Sequence, residues 1–163
     1  MGEQMRRVVT LLVVFGCIAP SVAASQARTA AAAGALGTGA CAALTRDMVA
    51  PFSENKQVLD LIPPREEPIG KGTACDWGGV RLQLFAIPRS EQKRTPPVKE
   101  MQVLAGAGEA GFFRSNRDRF AELAVYSATH YIMLQVSVPT GKTAEAIKPD
   151  AVKLANAIIA KLR

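Results

Sequence analysis

The chain has 163 residues, 48% of them hydrophobic and 21% charged, and a formal net charge of +6. That length suits one domain around one core, and the composition is that of an ordinary globular chain. The charge speaks to solubility and to non-specific attraction for anionic surroundings, and does not define a recognition site.

Residues 1–27 read as an export signal. Arg6 and Arg7 form a basic start, Val8–Phe15 an apolar core, and Pro20 a helix break. Small residues follow at Val22-Ala23-Ala24 and Ser25-Gln26-Ala27, the pattern of a cleaved secretory peptide. Val14-Phe15-Gly16-Cys17 offers an alternative cut, a lipobox-like motif that would leave Cys17 lipidated and the protein anchored to a membrane, although Phe15 is a poor residue there. Nothing later approaches 18 uninterrupted apolar residues, so the exported chain is expected to be soluble. Without the signal it carries 18 basic and 13 acidic residues, or +5. Two cysteines then remain, Cys41 and Cys75. An even pair in an exported domain points to a disulfide, worth roughly 4 kcal/mol in the chain-entropy model. A metal site is a poor alternative, since two distant thiols and one histidine, His130, do not complete a zinc tetrahedron.

Residues 28–39 are small and uninformative and read as a lead-in. From Ala40 the spacing of Cys41, Leu44, Met48 and Val49 predicts a helix that Pro51 stops. Ser53 suits the cap of a second short turn reaching Asp60, with Val58, Leu59 and Ile62 inward. Residues 63–73, with three prolines and two glycines, predict a loop. Cys75-Asp76-Trp77 begins a strand, and after Gly78-Gly79 the run Val80–Ile87 alternates Val80, Leu82, Leu84 and Ala86 against Arg81, Gln83 and Phe85. Such alternation marks a half-buried antiparallel strand. Residues 88–97 are polar and exposed. Thr95 and Pro96 then predict a helix start with Val98, Met101 and Leu104 as its buried stripe. Ala110–Arg114 predicts a short strand, and Ser115–Asp118 a basic turn.

Arg119–Val138 predicts a hairpin: two β-rich runs about a polar break at Ser127–His130. Period 2 sets Ala121, Leu123, Val125, Ile132, Leu134 and Val136 on the face that needs a cover. The last helix supplies one. Ala151, Leu154, Ala155, Ile158, Ile159 and Leu162 form the cleanest amphipathic stripe in the chain, with Pro149 in its first turn. The expected fold is α+β: an antiparallel sheet with helices on one face, the closing helix among them, and one disulfide, all within residues 40–163.

Three motifs invite a chemical reading. Gly106–Gly111 matches G-x-G-x-x-G, but a predicted helix precedes it and a strand follows, the reverse of the dinucleotide context, so a tight turn is expected. Gly141-Lys142-Thr143 lacks the upstream glycine of a phosphate loop and reads as a turn and helix cap. His130 at the hairpin turn could serve as a general base, yet no nucleophile is assigned to it by spacing. Arg114, Arg117 and Arg119 form the sharpest basic cluster, beside Phe112 and Phe113. With Trp77 they are the candidate binding surface, against the plainer reading of a solvated turn over core aromatics and of Trp77 as disulfide packing.

Cys41-Ala42-Ala43-Leu44-Thr45, the Cys75-Asp76-Trp77 strand start, Gly106–Phe113, the hairpin and the closing helix together resemble small exported bacterial domains and lipoproteins, many of them actinobacterial, over about residues 40–162. That resemblance implies an α+β domain with one disulfide and no established activity. The expectation is a non-catalytic periplasmic or secreted binding module without cofactor. Its partner would be an envelope protein or an anionic polymer, with no nucleic acid. The alternatives are an inhibitor of an extracellular hydrolase, presenting Pro63–Thr73 or Pro88–Pro97 as a rigid loop, and a small hydrolase using His130.

Overall fold

The computed structural model describes residues 39–116 and 119–163. The segment expected to be an export signal, with Cys17, almost all of the expected lead-in and Arg117 lie outside the described residues. The architecture is α+β. Seven strands, β1 (Arg65–Ile69), β2 (Gly72–Trp77), β3 (Val80–Ala86), β4 (Gln102–Leu104), β5 (Ala110–Asn116), β6 (Phe120–Tyr126) and β7 (His130–Ser137), form one sheet. Its order is β1-β2-β3-β7-β6-β5-β4, with every neighbouring pair antiparallel. Two meanders, β1–β3 and β4–β7, therefore meet at a single seam where Val80 lies opposite Val136 and Ala86 opposite His130.

The β6–β7 hairpin has the predicted register and faces. Leu123 pairs with Leu134 and Val125 with Ile132, and all four are buried. Two short helices, α1 (Arg46–Val49) and α2 (Val58–Leu61), and one long one, α3 (Ala144–Lys161), complete the chain. Helix α3 packs against β5, β6 and β7. It buries Ala144, Ile147, Ala151, Leu154, Ala155, Ile158 and Ile159, so the predicted cover is in place. The helix begins at Ala144, five residues before Pro149, because Ala144 and Ile147 continue the apolar stripe and the Thr143 hydroxyl accepts from the Ala146 N–H at 3.2 Å. Pro149 is tolerated inside the helix on its exposed side.

The N-terminal segment covers the other end of the same face, but as a broken chain and not as one helix. A 3-10 turn at Cys41–Ala43 gives way to an extended Leu44, then α1, then a second 3-10 turn at Ala50–Phe52 that contains Pro51. Val49, Phe52 and Leu59 are buried over the β2–β3 turn, whereas Ile62, expected inward, is exposed. Cys41 and Cys75 are disulfide-bonded with their Cα atoms 4.9 Å apart, which ties this segment to β2.

Residues 63–73 form the β1–β2 hairpin in place of the expected loop. Gly70, at φ +55°, occupies the first central position of a two-residue turn between Ile69 and Gly72. Pro68 fits because β1 is an edge strand, where a missing N–H costs no ladder bond. The Gly78-Gly79 turn between β2 and β3 has positive φ at both residues, the geometry of a type I′ hairpin.

The predicted helix after Thr95 is absent. Met101 and Leu104 serve opposite faces of the sheet: Met101 joins a small cluster with Phe112, Ala124 and Tyr126, and Leu104 joins the main core. A helix would turn both residues the same way, so the segment instead runs as a strap into β4. The strap, residues 87–101, crosses from β3 to the far edge of the sheet. The Gln92 side-chain amide donates to the carbonyls of Ile87 (2.7 Å) and Ser127 (2.9 Å), and the Tyr126 hydroxyl to that of Thr95 (3.3 Å). Arg94 and Glu109 form an ion pair.

Candidate functional site

The face of the sheet away from α3 is only partly covered. At its strap end, Phe85, Tyr131, Tyr126 and Phe112 form a row of rings with neighbouring centroids 5.8, 4.7 and 6.3 Å apart. Burial raises the Tyr131 and Tyr126 hydroxyl pKa values, so both stay protonated. Beyond the rings lies a polar row set by register. Arg65, Asp76, Arg81, Gln135, Glu122 and Arg114 stand opposite one another in turn across β1, β2, β3, β7, β6 and β5.

Two ion-paired groups divide this row. Arg81 donates to Glu67 and to Asp76, each at 2.6 Å, and the hydrogen bond to Glu67 contributes most to raising its pKa. Arg114 donates to Glu122 at 2.6 Å, with Glu100 at 4.0 Å. These side chains are held in place, though pairs this close to solvent stabilise little. Between them the Gln135 amide has no hydrogen-bond partner among the described residues, and neither does the Arg65 guanidinium.

At the end of the face these groups border a groove of about 420 Å³, within the size range of small-ligand sites. Ile62, Trp77 and Phe120 form its apolar wall, and Arg65, Asp76, Arg81, Gln135 and Ser137 supply polar atoms of both charges. Of the large hydrophobic side chains exposed among the described residues, Ile62 (58%) lines this groove. Trp77 packs against the main core and lines the groove, and its indole N–H is buried without an acceptor.

Of the sequence-predicted surface, Arg114 on β5 is tied to Glu122 on β6 and Arg119 sits in the turn before β6, whereas Trp77 ends β2, with three strands between β2 and β5. Arg65, Arg81 and Gln135 carry no local signal that joins them, although the alternation in β3 sets Arg81 on the polar side. His130 opens β7, and its Nδ1 lies 2.8 Å from the Thr129 hydroxyl. Burial lowers its pKa, so the ring is neutral at pH 7. Its one side-chain hydrogen-bond partner among the described residues is Thr129, its neighbour in the chain. No group of three His, Cys, Asp or Glu among the described residues could hold a metal ion. No family model, curated protein or solved structure matches the chain.

Proposed function

We propose that the protein is a non-catalytic binding module of the cell envelope, exported to the periplasm or secreted, that engages a partner through the uncovered end of its sheet. The observation that carries this reading is the pairing of an ion-paired polar row with a groove walled by Ile62, Trp77 and Phe120 on the one face that no helix covers. Exposed apolar side chains gathered beside a groove are a mark of interaction surfaces. The Cys41–Cys75 disulfide supports an oxidising compartment. The partner would be an envelope protein or an anionic polymer. Membrane attachment would arise only through lipidation of Cys17, and the intact mass of the protein purified from its source separates a lipidated from a soluble form.

Hydrogen exchange with and without a solubilised envelope extract tests the reading. Protection confined to β1–β3 and β7 is the expected result. Protection of α3 alone would overturn it. So would turnover of an ester or glycoside substrate that His130→Ala abolishes, since the protein would then be a hydrolase.

A further inference from the structure

The strap covers one end of the face that α3 leaves bare, and it is held there by weaker means than the rest of the sheet. We infer that residues 88–101 are a displaceable cover: the strap lifts as one unit from a sheet that stays folded, and lifting bares Phe112 and Tyr126. Met101, Phe112, Ala124 and Tyr126 form a cluster of their own, with the half-buried Val98 against it, and none of them belongs to the core that α3 closes. The main core therefore stays intact whether the strap is down or up. The backbone hydrogen bonds of residues 88–101 all close within the strap, from Glu91 to Pro88, Gln92 to Arg89 and Met101 to Val98. Ladder pairing begins only at Gln102, opposite Phe113 on β5.

Side chains supply the remaining ties. The Gln92 amide is the strongest, bridging Ile87 and Ser127. The Tyr126 hydroxyl reaches the Thr95 carbonyl at a long 3.3 Å. Arg89 and Arg94 share Glu109, and Glu100 lies 4.0 Å from Arg114, ion pairs near solvent that hold weakly. Of residues 88–100, only Gln92, Arg94 and Val98 turn even partly inward. Packing is open as well: a groove of about 500 Å³ runs between Arg94, Thr95 and Pro96 on one side and Leu104 and Phe112 on the other. Arg94 sits at φ +53°, a region that side chains avoid, and lifting relieves it. Pro88, Pro96 and Pro97 restrict the freed chain, so it swings as a stiff segment between two fixed ends, Gln102 and Ile87, whose N–H donates to Thr129 at 3.1 Å.

With the strap down, the half-buried Phe85 and Tyr131 are the accessible end of the ring row. With it up, the row continues through Tyr126 to Phe112. A partner that uses all four rings binds only the lifted form, with an affinity scaled by the lifted fraction. The opening belongs to the free protein and goes beyond its proposed binding role.

Met101, 5% exposed at the end of the strap, reports the lift through its oxidation by hydrogen peroxide, read by mass spectrometry. Exchange of the Leu154 and Ile158 amides on α3 reports unfolding of the whole domain. In the purified protein without ligand, below its urea transition, Met101 should oxidise more slowly than free methionine. Its opening should nonetheless be populated about a hundredfold or more above the one that releases the α3 amides, and should depend less on urea because little surface is exposed. Gln92→Ala should speed Met101 oxidation by about fivefold or more. Ile158→Val, in the main core, should lower the urea midpoint and leave the oxidation rate unchanged. Three results would each overturn the displaceable cover: oxidation of Met101 as fast as free methionine, no acceleration in Gln92→Ala, or acceleration in Ile158→Val by the same factor as α3 exchange. The last would mean that the strap moves only with the whole domain. None of the three bears on what the uncovered face binds, so the binding-module reading stands or falls separately.

Discussion

Replacing both cysteines, Cys41→Ala with Cys75→Ala, tests how far the N-terminal segment depends on its covalent tie. The bond joins residues 34 apart in sequence. Releasing a loop of that size to the unfolded chain costs about 3.8 kcal/mol at 25 °C in the chain-entropy model. Removing two buried or half-buried sulfur atoms adds little beside that, because alanine keeps each Cβ in place. For a domain of this size the loss corresponds to a fall in Tm of about 14 °C, a large share of ordinary net stability. Urea unfolding followed by far-UV circular dichroism gives both the midpoint and the slope, and a steeper slope is expected because the unlinked chain exposes more surface when it unfolds. A loss below about 1 kcal/mol would refute the reasoning, since packing of Val49, Phe52 and Leu59 would then hold the segment unaided.

Other substitutions examine the remaining supports. Ile158 is fully buried beneath the sheet, so Ile158→Ala should destabilise by about 2–5 kcal/mol in the same urea experiment, and a loss under about 1 kcal/mol would mean α3 is not seated as described. Gln92→Ala removes the amide that donates to Ile87 and Ser127; it should cost about 1–3 kcal/mol and speed hydrogen exchange in residues 88–101 while leaving α3 protected. Burial holds the folded pKa of His130 below its ordinary 6.5, so the unfolded chain binds the extra proton first. Its contribution is therefore complete above pH 6.5 and is lost as pH falls from there through the folded value. The urea midpoint should decline across that interval, and His130→Asn should flatten the decline, since the chain has no other histidine.

Local signals made half of the molecule readable in advance. The alternation in Phe120–Tyr126 and His130–Ser137, the turn between them and the stripe from Ala151 to Ile159 are each decided by residues within one or two turns of one another. The structure agrees with all of them. The disulfide was legible because Cys41 and Cys75 are the only two cysteines after residue 27. Residues 65–69 misled because Pro68 looks like a strand breaker unless the strand is known to lie at an edge, and edges are set by distant pairing. Val98, Met101 and Leu104 misled for a related reason: their spacing is helical, but the sheet and its strap divide them between two faces. The candidate groove was hidden almost entirely, since Ile62, Arg65, Trp77, Phe120 and Gln135 come from four separate stretches that only the β3–β7 seam and its flanking pairs bring together.

The two outer strands bear on how the protein behaves when crowded. At one border Pro68 removes an outward N–H directly after the charged run Arg65, Glu66 and Glu67; at the other, β4 spans only three residues. Neither border offers a long, uninterrupted row of amides for a foreign strand to copy. Long open edges on a seven-stranded sheet would be a seed for fibrils, and these two short or interrupted borders work against such edge-to-edge pairing.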